Sequence, residues 1–172
     1  MSVLLSLRPD QWTKNLIVFA ALIFARRLLD PVAVALALAA FLIFCALSGA
    51  VYLLNDVSDR EADRQHPRKS RRPVASGALS AGAALSWAVA LIGAGVGLAF
   101  WIQPSFGFVF FDDAATPEIY TSVLKHVVIL DVMAIAMGFV LRAVAGGLVI
   151  GVPVSDWLLV CTILLALFLG LS

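Results

Sequence analysis

The chain has 172 residues, 62% of them hydrophobic and 13% charged, and its mean hydropathy is +1.02. That charged share is about half the globular norm, which excludes an ordinary soluble domain and points to an integral membrane protein. The net charge of +1 offers no bulk attraction to nucleic acid, so the placement of the charges matters more than their sum.

The apolar runs are long enough for helices and lack the alternation of barrel strands. Leu16 to Ala25 is the core of a first span, begun near Trp12, where Trp12 and Lys14 suit an interfacial anchor. Arg26, Arg27, Asp30 and Pro31 make a short turn. Val32 to Leu54 is a second span, about 34 Å long at the helical rise. The polar segment Asn55 to Gly77 follows. Leu79 to Ile102 is a third span, in which Gly82, Gly93, Gly95 and Gly97 are expected to allow close helix approach. Gln103 to Thr121 is mixed, and Pro117 argues against a continuous helix there. Val127 to Ile150 is a fourth span, interrupted by Asp131 and Arg142. Gly151, Pro153, Ser155 and Asp156 form a turn before a further span from Trp157 to Leu171. The expected fold is all-α, a polytopic transmembrane helix bundle forming one domain over 1–172. Cys45 and Cys161 lie in apolar runs and read as packed thiols rather than a disulfide. No cleavable signal is evident.

Arginine and lysine set the orientation. The polar segment carries Arg60, Arg64, Arg68, Lys69, Arg71 and Arg72, so it is expected in the cytoplasm. Even spacing puts Arg8 and Lys14 on the same side, against a minority vote from Arg26 and Arg27.

Within that segment Asp56, Asp59 and Asp63 stand at i, i+3 and i+7, one face of a helix. Like charges so spaced repel. A divalent cation turns the repulsion into a site, and Mg²⁺ favours hard oxygen ligands that include substrate phosphates. The stripe therefore reads as a diphosphate site. The bland alternative is a solvated helix face, with Asp56 and Arg60 as a simple i, i+4 pair. The basic stretch His66 to Arg72 supplies phosphate partners, or alternatively anchors the loop on anionic lipid. Arg72-Pro73 ahead of Gly77 suggests a sharp turn that holds an arginine fork against a phosphate.

Asp131 and Arg142 are ionisable groups inside an apolar span, which by default are functional. Eleven residues apart, roughly 16 Å along a helix, they cannot pair with one another, so each needs another partner. Lys125 snorkels or binds substrate, and Tyr120 serves as an interfacial anchor or lines a cavity. The chain has no P-loop, Rossmann glycine pattern, Cys/His zinc spacing or nucleophile elbow, and His66 and His126 are too isolated to argue for a metal.

The pattern Asn55-Asp56-x-x-Asp59-x-x-x-Asp63, followed by Arg72-Pro73 and Gly77, resembles the UbiA superfamily of intramembrane transferases. Three further stretches make the chain similar to the bacterial polyprenyl-phosphate (decaprenyl-phosphate) phosphoribosyltransferases within it. They are Leu7 to Asn15, His66 to Gly77, and Tyr120 to His126 with Asp131 and Arg142. The resemblance implies a helical bundle around a cytoplasmically capped polar cavity, in the multi-pass setting of a bacterial plasma membrane. It implies Mg²⁺ on Asp56, Asp59 and Asp63 with Asn55 assisting. Lys69, Arg72 and Lys125 would hold phosphates, and Tyr120, Asp131 and Arg142 would complete the substrate set. The partners implied are phosphoribosyl diphosphate, a polyprenyl phosphate and the membrane, with a homo-oligomer compatible and nucleic acid not. The chain carries about five of the family's roughly nine helices, which would leave its bundle open. The second acidic motif of the superfamily is absent, and Asp112 and Asp113 fall where relatives look apolar. Two other readings stand beside phosphoribosyl transfer. One is a prenyltransferase that uses a polyprenyl diphosphate donor and an aromatic or other acceptor. The other is a non-catalytic membrane fragment.

Overall fold

The structure, a computed structural model, describes residues 2–123 and 128–171; side chains are described for all of these except 2, 116–123, 128–132, 134 and 169–171. Helices α1 (Ser2–Ser6), α2 (Ala20–Phe24), α3 (Pro31–Ser58), α4 (Arg60–Gln65), α5 (Pro73–Ser76), α6 (Ala81–Ile102), α7 (Pro104–Val123), α8 (Val128–Val149) and α9 (Asp156–Leu171) follow in order. Two 3₁₀ segments, Pro9–Phe19 and Lys69–Arg71, join them. No strand occurs among the described residues, so the all-α expectation holds.

Two of these helices are long and apolar enough to cross a membrane, Pro31–Ser58 and Ala81–Ile102. Shorter apolar stretches cover Ile135–Val149 and Asp156–Phe168. Many large apolar side chains stand exposed, among them Leu29, Trp101, Trp157, Phe24 and Phe168. A hydrocarbon surround accommodates such a surface, which water would not.

The first predicted span needs correction. Its residues form the 3₁₀ segment Pro9–Phe19 and then the short α2. At about 2.0 Å per residue, eleven residues of 3₁₀ helix reach roughly 22 Å, further than the same residues would as α-helix. Gln103–Thr121 is also corrected, because α7 runs through Pro117 without a break. An interior proline removes one N–H and crowds the carbonyl four residues back, yet α7 continues on both sides of it.

The chain divides into two compact units, one made of Met1–Thr13 and Cys45–Gly95, the other of Lys14–Phe44 and Val96–Ser172. In the first, Ala50 and Leu53 of α3, Val74 of α5, and Leu79, Ala84 and Ala88 around α6 form a buried cluster, with Val3 and Leu7 against it. Small residues let helices approach closely, and the buried alanines and Gly95 are placed to do so. A Cβ added at Gly82, Gly93 or Gly97 would meet nothing within 4 Å, contrary to the sequence expectation for those three. The close approach falls at Gly49, where an added Cβ would strike the Leu7 side chain.

In the second unit α8 packs on α7, α9 and α2. Phe44 meets Phe106 and Phe110 edge-on, with centroids 5.2 Å apart for Phe44 and Phe110, and the Phe106 and Phe110 rings are tilted to one another. Gly146 lies against the Val18 backbone with no room for a Cβ. Asp30 caps α3 ahead of Pro31 by accepting from the N–H groups of Val32 and Ala33 at 3.0 and 3.1 Å. Arg27 donates to Asp30 at 2.6 Å and to the Ile150 carbonyl at 2.9 Å, tying this turn to the end of α8. Cys45 and Cys161 form no disulfide; Cys45 is buried as expected, whereas Cys161 is exposed.

Candidate functional site

The acidic stripe does not lie on one continuous helix. Helix α3 ends at Ser58 and α4 begins at Arg60, with Asp59 between them at φ −88° and ψ 4°. That bridge conformation kinks the path, while the Asp59 N–H still donates to the Asn55 carbonyl and the Asp63 N–H to the Asp59 carbonyl, both at 2.8 Å. The kink turns Asp56 and Asp63 inward and leaves Asn55 and Asp59 exposed. The predicted shared face of three aspartates is therefore corrected to a buried pair and an exposed third member.

The loop after α4 folds back over that pair. His66 Nδ1 accepts from the N–H groups of Arg68 and Lys69 at 3.2 and 3.3 Å, capping the 3₁₀ turn Lys69–Arg71. Arg72 is extended, Pro73 opens α5, and Gly77 closes it at φ 84° with its N–H on the Val74 carbonyl. This left-handed C-cap is the sharp turn expected from Arg72-Pro73 and Gly77. Arg64 Nε donates to the Ala75 carbonyl at 3.2 Å and fastens α4 to α5.

Arg72 then bridges the two acids. Its Nη1 donates to Asp63 Oδ2 at 2.7 Å and to Asp56 Oδ1 at 3.3 Å. Lys69 Nζ lies 4.0 Å from Asp63 Oδ1. Arg8 Nη2 donates to Asp56 Oδ1 at 2.5 Å, and its guanidinium sits 4.6 Å from the centre of the Tyr52 ring. The basic loop thus folds onto the stripe, and the i, i+4 pair of Asp56 with Arg60 is not formed; Arg60 Nε is buried without a partner.

Exposure decides what such a cluster can do. Asp56 and Asp63 side chains are 2% and 3% exposed, whereas Arg8, Arg72 and Lys69 are 29%, 27% and 47% exposed. A ligand meets the cations first. Three cations over two acids leave a formal excess of one positive charge, which favours an anion such as a diphosphate.

Among the described residues no three Asp, Glu, His or Cys side chains come together as a metal cage. The two buried carboxylates nevertheless converge on one guanidinium nitrogen. Mg²⁺ is commonly held by one or two carboxylates, with substrate phosphates and water as the other ligands. The donor set therefore fits a magnesium ion that shares a diphosphate, and not one held by protein alone.

The second unit holds a separate ion pair. Arg142 Nη2 donates to Asp113 Oδ2 at 3.2 Å, and its guanidinium lies 5.8 Å from the centre of the Phe44 ring. Gly138 lies beside the pair, and an added Cβ would sit at ordinary contact distance, 3.4 Å, from Asp113 Oδ1. The predicted need of Arg142 for a partner on another element is met by a residue the sequence reading set aside. The side chains of Tyr120 and Asp131, and all of Lys125, lie outside the described residues.

Sequence reasoning missed Arg8 and Asp113. Arg8 lies 48 positions from Asp56 and reads as an interfacial charge. A buried acid in α7 was legible only as an oddity of composition. The signal that could have found both is formal charge in an apolar chain, where each ionised group needs a counter-charge.

Known proteins resemble this chain in sequence and in fold. Residues 15–172 match the UbiA prenyltransferase family. Decaprenyl-phosphate phosphoribosyltransferase of Corynebacterium glutamicum is 38% identical over 96% of this chain and 51% of its own length. The enzyme of the same name from Mycolicibacterium smegmatis is 36% identical over 96% of this chain and 53% of its own. The chain thus spans about half the length of the curated relatives it matches. A UbiA homolog from Archaeoglobus fulgidus, solved bound to DMAPP and Mg²⁺, superposes with a TM-score of 0.83 at 22% identity, covering 98% of this chain and 61% of that one. The family match running over residues 15–172 shows that this chain belongs to the UbiA prenyltransferase family.

Proposed function

We propose that this chain carries the diphosphate site of a Mg²⁺-dependent membrane transferase that moves a phosphoribosyl group from phosphoribosyl diphosphate to a polyprenyl phosphate. The observation that carries the reading is Arg72 bridging buried Asp56 and Asp63 beneath a partly exposed cationic cover. The names of the similar bacterial enzymes support the donor and acceptor. The site faces the cytoplasm of a bacterial plasma membrane, in keeping with the basic loop.

Diphosphate leaves poorly until its charge is neutralised. Arg72 and Lys69 would meet its oxygens, and Asp56 and Asp63, with Asp59 and Asn55 at the rim, would hold Mg²⁺. Mg²⁺ supplies further neutralisation of the leaving group. The bond from ribose C1 to the diphosphate oxygen breaks, and a phosphate oxygen of the lipid forms the new bond to C1. That nucleophile is already anionic, so no strong protein base is required. Positioning and electrostatics carry the rate. Tyr120, Lys125, Asp131 and Arg142 complete the proposed substrate set.

A second reading keeps the same diphosphate site but takes a prenyl diphosphate as donor. The DMAPP in the similar archaeal structure favours it. Label transfer separates the two. Membranes containing this chain, Mg²⁺, labelled phosphoribosyl diphosphate and a polyprenyl phosphate are expected to move label into the lipid phase. Asp59→Ala is expected to abolish transfer while leaving membrane insertion intact. Transfer only from a labelled prenyl diphosphate selects the second reading. No transfer from either donor, with a full-length relative active alongside, leaves a non-catalytic fragment.

A further inference from the structure

We propose that Arg8 is a third phosphate-holding cation of this site, its guanidinium passing from Asp56 to a diphosphate oxygen as the anion enters. The inference rests on the diphosphate reading above and adds to it a residue from a distant part of the chain.

The first observation is conformational. Arg8 has φ +47°, a left-handed conformation that glycine adopts freely and side-chain-bearing residues avoid. Pro9 follows and restricts residue 8 further. Backbone strain of this kind persists only where surrounding structure imposes it. The surroundings here do so. Leu7 seats over Gly49, the Trp12 indole N–H donates to the Leu7 carbonyl at 3.1 Å, and the Gln11 N–H donates to the Arg8 carbonyl at 2.9 Å. Arg26 shares the conformation, at φ +54°, but its side chain stands exposed at a turn. Strain alone therefore does not mark a site, whereas strain that aims a guanidinium at a buried acid does.

The second observation is the placement of that guanidinium. It lies against the Tyr52 ring and on the same Asp56 oxygen that Arg72 reaches, so two arginines share one acceptor atom. A guanidinium carries five N–H donors, and the contact to Asp56 is made by Arg8 Nη2; the rest of this planar fork, set on an aromatic platform, is suited to phosphate oxygens. The Arg8 side chain is also partly exposed over an acid that is not.

Arg8 could instead serve only as a counter-ion for Asp56, and a double-variant cycle distinguishes the two roles. Inorganic diphosphate is titrated calorimetrically, in Mg²⁺-free buffer, into the detergent-solubilised 172-residue chain, its Arg8→Gly and Asp56→Asn variants, and the double variant. Glycine suits the left-handed backbone, and asparagine removes the charge that Arg8 would balance. Loss of a charge-assisted hydrogen bond corresponds to about tenfold or more in affinity. The expected result is that Arg8→Gly weakens diphosphate binding about tenfold in the Asp56→Asn background as well as alone. An Arg8→Gly change without effect in the Asp56→Asn background would make Arg8 a counter-ion only and overturn the inference. Diphosphate binding absent from the unaltered chain, with relatives binding it, would overturn the diphosphate reading and the inference together.

Discussion

The two units solve the same electrostatic problem in different ways. In the second, Asp113 of α7 meets Arg142 of α8 as a balanced pair, with the acid 2% and the arginine 19% exposed. In the first, Asp56 and Asp63 are as deeply buried, but Arg8, Lys69 and Arg72 attend them, and all three remain partly open. A balanced buried pair mainly cancels its own desolvation cost. A cluster with surplus cation can give up a contact to an incoming anion without stranding an acid. The supports differ too. Two long helices carry the balanced pair, whereas the cluster joins the end of the long α3 to short helices, a 3₁₀ turn and a left-handed glycine. Segments of that kind are the ones that rearrange around ligands. The contrast also sharpens the role of Arg142, which can reach a substrate phosphate only by sharing its guanidinium with Asp113.

The largest way to break the comparison is to unbalance the balanced pair. Arg142→Met leaves Asp113 buried and unpaired, and thermal unfolding in detergent should show a loss of about 3–5 kcal/mol. Adding Asp113→Leu should restore most of that. Stability that returns without turnover would assign Arg142 to the substrate, and stability that returns with turnover would make the pair purely structural.

Arg72→Met attacks the cluster in the same manner. Arg8 remains on Asp56 and Lys69 near Asp63, so the stability loss should be smaller, about 1–3 kcal/mol. Binding of magnesium diphosphate, followed by calorimetry, should fall at least about 100-fold, because two phosphate contacts go together. A stability loss equal to that of Arg142→Met would erase the distinction between the two regions.

Gly77→Ala tests the scaffold of the cluster. Nothing lies within 4 Å of an added Cβ, so only the strain at φ +84° remains, about 1 kcal/mol in the same unfolding measurement.

Asp30 gives the smallest effect and belongs to the second unit. The Ala33 N–H, together with the Arg27 side chain and the Val32 N–H, holds its carboxyl below the ordinary value against an opposing desolvation. A lowered folded-state pKa stabilises above the unfolded value of about 4 and loses that contribution as pH falls through the folded one. Asp30→Asn keeps a capping oxygen and should flatten the acid limb of a stability–pH curve slightly. An unchanged acid limb would remove Asp30 from the pH response.

Much of the fold was legible along the chain, because membrane helices announce themselves by local composition. Val32–Leu54 and Leu79–Ile102 became α3 and α6 with their ends moved by a few residues. The turn at Gly77 was legible for a similar reason, since proline and glycine act on their own backbone. The 3₁₀ winding of Pro9–Phe19 was not, because apolar composition does not distinguish helix types. The continuous α7 was not either, because Pro117 limits a helix only locally and packing on α8 bears on its continuation.

For the site, the sequence by itself determined which charges exist and that an apolar chain must find partners for them. Asp56, Asp63 and Arg72 were legible from their pattern, and Lys69 from the resemblance. Only the tertiary structure decided who pairs with whom. The kink at Asp59 turned one aspartate outward and two inward. Folding then brought Arg8 to Asp56 and Asp113 to Arg142, across 48 and 29 positions. Periodicity describes one element at a time. Ion pairing depends on distances between elements, and those distances come from packing.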